Sequence, residues 1–254
     1  MASTIACRRI RTAITTITAT MTITTTATDL PALARLLAWL SPAYPTGAFS
    51  YSHGLEMAVE EGAVTDRAGL VAYAEAALAH GAGAVDGGLF ALSWRAAAAG
   101  DAAALDALTE LAAAMRGTAE LALEATQPGG AFALATNAAW PNGEFAAFTA
   151  RHPGRLTHAV AFGAAAGFHA MPLRESCFAW LTAFAANLVS AGVRLVPLGQ
   201  TDGQIATAAL LPAIQAATDA ALAVTDAEEI GGAAPIIDLF SLRHETQYTR
   251  LFRS

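Results

Sequence analysis

The chain predicts an all-α fold, a single-domain helical bundle of about ten helices with no sheet. Three observations carry that prediction. Hydrophobic residues make up 55% of the 254 positions, and Ala, the strongest helix former, leads them over Val and Ile. Apolar residues recur at helical spacing, most clearly Cys177, Trp180, Leu181, Phe184 and Leu188. Pro, Gly and capping residues then punctuate these stretches without the alternation that strands require. A chain of this length can still be organised around one hydrophobic core.

Residues 1–28 stand apart, with Thr and Ile alternating after Arg8, Arg9 and Arg11 and no acid before Asp29. They read as a disordered leader, or as an over-long start with Met21 the initiator. Thr interrupts the apolar run that a secretory signal would need.

Asp29 caps a first helix carrying Leu33, Leu36, Leu37 and Leu40, and Ser41-Pro42 stops it. Pro45-Thr-Gly47 makes a turn into a second helix from Phe49 to Glu61, with Ser50 and Ser52 as caps, His53 on its surface and Gly62 as its stop. Thr65 or Asp66 caps a third helix with the stripe Leu70, Val71, Ala74, Ala77 and Leu78. Further helices are expected at 85–99, 102–124, 144–151, 155–170, 176–191 and 202–224. Gln127-Pro-Gly-Gly130, Trp140-Pro-Asn-Gly143 and His152-Pro-Gly154 read as turns between them. Gly163 and Gly167 lie in a helical stretch, where glycine costs stability, so another helix is expected to approach closely there.

Composition excludes several function classes. The net charge is −7, all fourteen cations are Arg, and nothing suggests a phosphate-binding surface, so nucleic acid is not an expected partner. No Lys is present for a G-x-x-x-x-G-K-[ST] loop. Cys7 and Cys177 build no disulfide framework, which fits a reducing cytoplasm. The six His residues form no pair at ligand spacing on one helical face, so no resident metal site and no tightly bound cofactor are expected. His80 and Asp86 flank Gly81-Ala-Gly83, which could bring them together.

Two alternatives are weighed and set aside. Leu156–Leu173 and Ser176–Val193 lack charged residues, so 156–193 could form a membrane hairpin, but Ala, Gly, His and Pro make buried helices the better reading and no membrane is expected. Ser52 in Ser50-Tyr-Ser-His-Gly54 resembles the centre of a G-x-S-x-G elbow and could make a small serine hydrolase. The first Gly and the preceding strand are missing, so no catalytic residue is assigned.

The segment Arg243-His-Glu-Thr-Gln-Tyr-Thr-Arg-Leu-Phe-Arg-Ser254 gathers three of the fourteen Arg residues and is too short to build a core. It is set apart here as a docking tail, residues 239–254, after a main domain at 29–238. With two internal segments, Leu40-Ser-Pro-Ala-Tyr-Pro-Thr-Gly-Ala-Phe-Ser-Tyr-Ser-His-Gly-Leu-Glu56 and Val196-Pro-Leu-Gly-Gln-Thr-Asp-Gly-Gln204, it resembles the UreF family of urease accessory proteins. The likeness spans about residues 30–254.

The resemblance implies a non-catalytic assembly factor for nickel urease. Such a protein forms a homodimer, binds UreD (also called UreH), recruits the nickel-carrying GTPase UreG, and docks on apo-urease. Nickel is then handled by the complex, with this chain either tuning GTP hydrolysis by UreG or providing part of a nickel route. Partner-binding candidates are Gly47, Tyr51, Ser52 and Glu56 in the first segment, and Gln200 and Asp202 in the second. Asp202 or Thr201 also reads as a helix cap there. In the third they are His244, Glu245, Tyr248, Arg250, Leu251, Phe252 and Arg253, with Arg250 and Arg253 expected to fork onto a neighbour's carboxylates beside buried Leu251 and Phe252. The resemblance further implies that this tail becomes ordered on binding UreD.

Overall fold

The computed structural model describes residues 29–254, so the expected leader at 1–28 lies outside the described residues. Twelve α-helices and no strand occur among them: α1 Leu30–Trp39, α2 Leu55–Glu60, α3 Arg67–Ala79, α4 Ala82–Ala99, α5 Ala102–Ala114, α6 Ala119–Ala139, α7 Gly143–Arg151, α8 His158–Phe168, α9 Leu173–Leu195, α10 Gln200–Ala209, α11 Leu211–Ala223 and α12 Pro235–His244. The all-α expectation is met.

α8 is the axis of the bundle. Every residue from Ala159 to Gly167 is buried, with α4, α6, α7 and α9 packed around it. Phe162 stacks on Phe132 of α6 at 4.9 Å, and Trp39 of α1 meets both rings edge-on at 5.4 Å, the offset geometry that aromatic quadrupoles favour. Gly163 and Gly167 are the expected close approach. A Cβ on either would lie 2.5 Å from a carbonyl oxygen of α4, that of Phe90 or Trp94 respectively, so the two helix backbones touch where no side chain fits.

Helix caps follow the sequence where one local signal decides. The carboxylates of Asp29, Asp66 and Asp101 accept from the backbone three residues on, at 3.2, 2.8 and 2.9 Å. Elsewhere tertiary structure overrides local signals. The expected turn at 127–130 lies inside α6, because Gly129 packs against the entry to α8, where a Cβ would meet Leu156 O at 2.2 Å. The expected helix over 102–124 breaks after Ala114, and Thr118 caps the new start by accepting from Leu121 N–H at 3.0 Å. The helix over 202–224 divides at Leu210, and its first part begins two residues early at Gln200. Asp202 therefore is not the cap. It reaches back to Gly199 N–H at 3.3 Å and pairs with Arg67 of α3 at 2.6 Å.

The helix expected from Phe49 to Glu61 is mostly not one. A 3-10 turn spans Ala48–Ser50, Tyr51 is extended, His53 and Gly54 take left-handed backbone angles, and α2 starts only at Leu55. Helix α12 was not anticipated, and a tail boundary at 239 would cut through it; Pro235 in its first turn and the spacing of Ile237, Phe240 and His244 were its signals.

The membrane hairpin over 156–193 fails on length. An eleven-residue α8 extends only about 16 Å, roughly half of a bilayer's apolar core. Among single helices of the described residues, only α9 is long and apolar enough to cross a membrane, and half of its apolar window is buried in the fold.

Gly163→Ala tests the central contact. The added methyl group must push α4 from α8, and urea unfolding is expected to show a loss of about 1–3 kcal/mol with helix content retained below the transition.

Candidate functional site

The segment after α12 turns back across the molecule and lies against residues 50–56, bringing the first and third sequence motifs together. Two backbone bonds pair them: Arg253 N–H donates to Ser50 O at 2.8 Å, and Ser52 N–H donates to Ser254 O at 2.8 Å. This pairing explains why Tyr51 and Ser52 leave the helical conformation after the 3-10 turn. Ser52 Oγ also donates to Ser254 O and accepts from Glu56 N–H at 3.3 Å.

Glu56, in the first turn of α2, anchors the segment. Its Oε1 accepts from Leu251 N–H at 2.6 Å and its Oε2 from Phe252 N–H at 2.9 Å, while His244 Nε2 lies 3.0 Å from Oε2. The other nitrogen of His244 lies 2.7 Å from Glu120 Oε2 on α6, and Arg250 donates to Glu120 Oε1 at 2.8 Å. His244 is fully buried and faces a carboxylate at each ring nitrogen. A neutral imidazole donates from one nitrogen only, so this geometry needs a further proton, held on the ring or on one of the carboxyls. With the imidazolium, two carboxylates face two cations, and the buried charges balance.

A second group lies beside it. Glu124, one turn after Glu120, accepts from Ser254 Oγ at 2.7 Å and lies 3.2 Å from His53 Nδ1. Burial opposes charge on His53, but the attraction and hydrogen bond of Glu124 outweigh it and raise the imidazole above its ordinary value of 6.5. His53 is thus an interior residue, not the surface residue expected, and its backbone oxygen accepts from Tyr73 OH at 2.7 Å. Burial is also the main reason that the Tyr73 phenol is pushed up.

The candidates divide by burial. Tyr51, Ser52, Glu56, His244 and Phe252 lie in the interior, where they hold the chain to itself and offer no side chain to a partner. Gly47 is half-buried with a left-handed φ of 73°. Tyr248 is fully exposed, and Glu245, Arg250, Leu251 and Arg253 face solvent around it. Leu251, expected to bury, is 64% exposed, while Phe252 beside it is buried. Arg250, expected to bind a neighbour, binds Glu120 of its own chain. Gln200 is exposed at the start of α10, and the Arg194 guanidinium of α9 lies 4.2 Å over the Phe252 ring and donates to Phe49 O at 2.9 Å.

Sequence reasoning missed Glu120 and Glu124. Their spacing of four on an otherwise Ala- and Leu-rich helix was the available signal. His80 and Asp86 do not meet; His80 is exposed, and Asp86 is gripped by both terminal nitrogens of Arg116. The serine-hydrolase alternative lacks its geometry, since Ser52 Oγ is committed to Ser254 and Glu56 while His53 turns to Glu124. No group of three or more His, Cys, Asp or Glu residues suited to a metal ion occurs among the described residues.

Two outcomes follow from this geometry. Glu56→Ala strips the acceptor from two backbone amides and a buried imidazole, so hydrogen exchange at Leu251 and Phe252 should accelerate and urea unfolding should show a loss of about 3–5 kcal/mol. For His53 the folded value is raised, so its stabilisation is complete below the unfolded value of 6.5 and fades as pH rises through the folded one. The stability gap between the native chain and His53→Asn, whose side chain tolerates the left-handed backbone, should therefore be widest just below pH 6.5 and narrow on the alkaline side; a pH series of urea titrations measures it.

Comparison with known proteins places this arrangement. The family model described as UreF matches residues 64–211. The urease accessory protein UreF of Granulibacter bethesdensis is 59% identical over 230 residues, covering 91% of this chain and 97% of that protein. Proteins of the same name from Rhodopseudomonas palustris and Methylorubrum populi are 51% and 47% identical, over 87% of this chain in each case and 93% and 98% of their own lengths. With identity this high across nearly the whole folded region, the chain belongs to the UreF family of urease accessory proteins.

Proposed function

We propose that this chain is a non-catalytic scaffold that bridges UreD (UreH) and the GTPase UreG and assists nickel delivery into apo-urease. The observation that supports it best is the surface built by the docked segment. Ile236, Leu239 and Leu242 of α12 are exposed, and Tyr248 and Leu251 of the segment after it are exposed as well. Arg243, Arg250 and Arg253 join them from the same stretch of a chain whose net charge is −7. Exposed apolar side chains mixed with arginine and tyrosine are the composition of an interface centre. The buried side of the segment holds it on the chain's own body, which supports a surface formed before a partner arrives.

In this reading the chain works as a homodimer in the cytoplasm, holds no cofactor tightly, and leaves nickel to the complex. Its influence on GTP hydrolysis by UreG would act through the same surface.

The test is co-purification of co-expressed UreD with the full chain and with one ending at Thr246, which keeps α12 and His244 intact. Recovery of UreD should fall at least tenfold with the shorter chain, and equal recovery would remove the segment from the interface. Arg250→Ala should keep the helical circular dichroism signal while lowering urease activation in cells, since Arg250 is partly exposed and its loss leaves the backbone pairing in place.

A further inference from the structure

The docked segment rests on two imidazoles and three carboxylates. Glu56 of α2 and Glu120 of α6 meet the two ring nitrogens of His244, and Arg250 of the segment binds the second Glu120 oxygen. One turn along α6, Glu124 accepts from Ser254 Oγ with one oxygen and meets His53 Nδ1 with the other. The amides of Leu251 and Phe252 end on Glu56, so both groups bear on the same short stretch of backbone.

Each group depends on a proton that can be removed. If His244 is neutral, one of its nitrogens carries a lone pair, and that lone pair faces a carboxylate oxygen 2.7 or 3.0 Å away with no hydrogen between them. His53 faces one carboxylate, and loss of its charge leaves the largely buried Glu124 against an uncharged ring. Arg250 is then the one cation still in contact with these three carboxylates among the described residues.

The other polar groups around the rings are already committed. Near His53, Asp86 of α4 and Arg116 of the α5–α6 connection grip each other, Tyr73 OH of α3 is spent on the His53 backbone oxygen, and α9 offers the Phe184 ring. Near His244, Arg243 binds Glu61, Gln247 binds Glu60 and Glu245 accepts from Ala119 N–H. The carboxyl group of Ser254 is held by Ser52 N–H and Oγ. None of them replaces a lost proton.

The direction of the pH response follows. Burial opposes charge on His53, Glu124 outweighs it, and the value rises above 6.5; a raised value supports the docked form at low pH and ceases to do so as pH rises through it. The chain has no Lys, burial pushes Cys177 up to about 12 and His158 down to about 4, so these do not change charge in the range between.

We propose that this cluster is an alkaline-sensitive latch: loss of protons from its two imidazole–carboxylate groups frees residues 245–254 from their seat, and the surface carried by Tyr248, Leu251 and Arg253 is lost with them. The body of the bundle stays folded, because the apolar packing around α8 contains none of these groups. The latch is a property of the chain alone. It goes beyond the scaffold reading, and its failure would leave that reading standing.

The test uses the full chain with para-fluorophenylalanine at Phe252, whose ring is buried beneath Arg194 when the segment is docked. Fluorine NMR separates the docked ring from the released one. Between pH 6.5 and about pH 9 the docked-to-released ratio should fall at least about tenfold while the helical circular dichroism signal stays constant. Glu120→Gln combined with Glu124→Gln should keep the segment docked at the alkaline end, since each amide N–H can donate to a neutral imidazole while its oxygen still accepts from Arg250 or Ser254. A docked signal unchanged through about pH 9 in the native chain overturns the latch, as does release with the same midpoint in the double variant. Loss of helix in step with release also overturns it, because that is unfolding. Should the double variant fail to fold, Glu124→Gln alone decides: it should shrink the pH response at least about threefold, and an undiminished response overturns the latch.

Discussion

The carboxylate of Glu56 is the fixed point around which this molecule's distinctive half is arranged. Two backbone amides and an imidazole converge on it, and through His244 the constraint passes to Glu120 and so to α6. α2, α6, α12 and the segment after α12 are held by one set of charge-assisted bonds, each stronger than a neutral hydrogen bond of the same length. Burial of those groups is tolerated because every oxygen of Glu56 and Glu120 is hydrogen-bonded.

The remainder of the fold follows a different logic. Around α8 the packing is almost entirely apolar, with alanine and glycine letting helices approach until backbone meets side chain or backbone. Small side chains lose little entropy on burial but also bury little area, so stability there comes from many close contacts, with Phe90, Phe132, Phe162 and Trp180 filling the larger spaces. The molecule thus combines a dry, closely packed centre with a polar clamp at one face. The clamp carries two of the three segments on which the resemblance rests; the centre carries the bulk of the core.

How much of this was readable from the sequence depends on the range of the interaction concerned. Asp29 and Asp66 cap helices through atoms three residues away, and the sequence shows both partners at once. The Gly163 and Gly167 contact was legible as a need for close approach, although not which helix would supply it. Pro128 misled, since a Pro-Gly-Gly run signals a turn unless something distant requires a helix with a bare backbone there, as α8 does. At the site, the motif residues were found but not their partners within the chain. Glu56 meets His244 and Phe252, and Ser52 meets Ser254, across separations of more than a hundred residues, and a single sequence gives no view of such pairings. Glu120 and Glu124 were missed for the same reason.

The two rungs that join Arg253 to Ser50 and Ser52 to Ser254 make the segment a strip read by its backbone, whose side chains point alternately in and out. Side-chain replacement leaves such a strip in register, whereas a change in chain length between His244 and Leu251 does not. Removal or insertion of one residue would invert the alternation, turning Phe252 to solvent and an arginine toward the carboxylates beneath. The length of that short connection is therefore as strictly constrained as any side chain in the cluster.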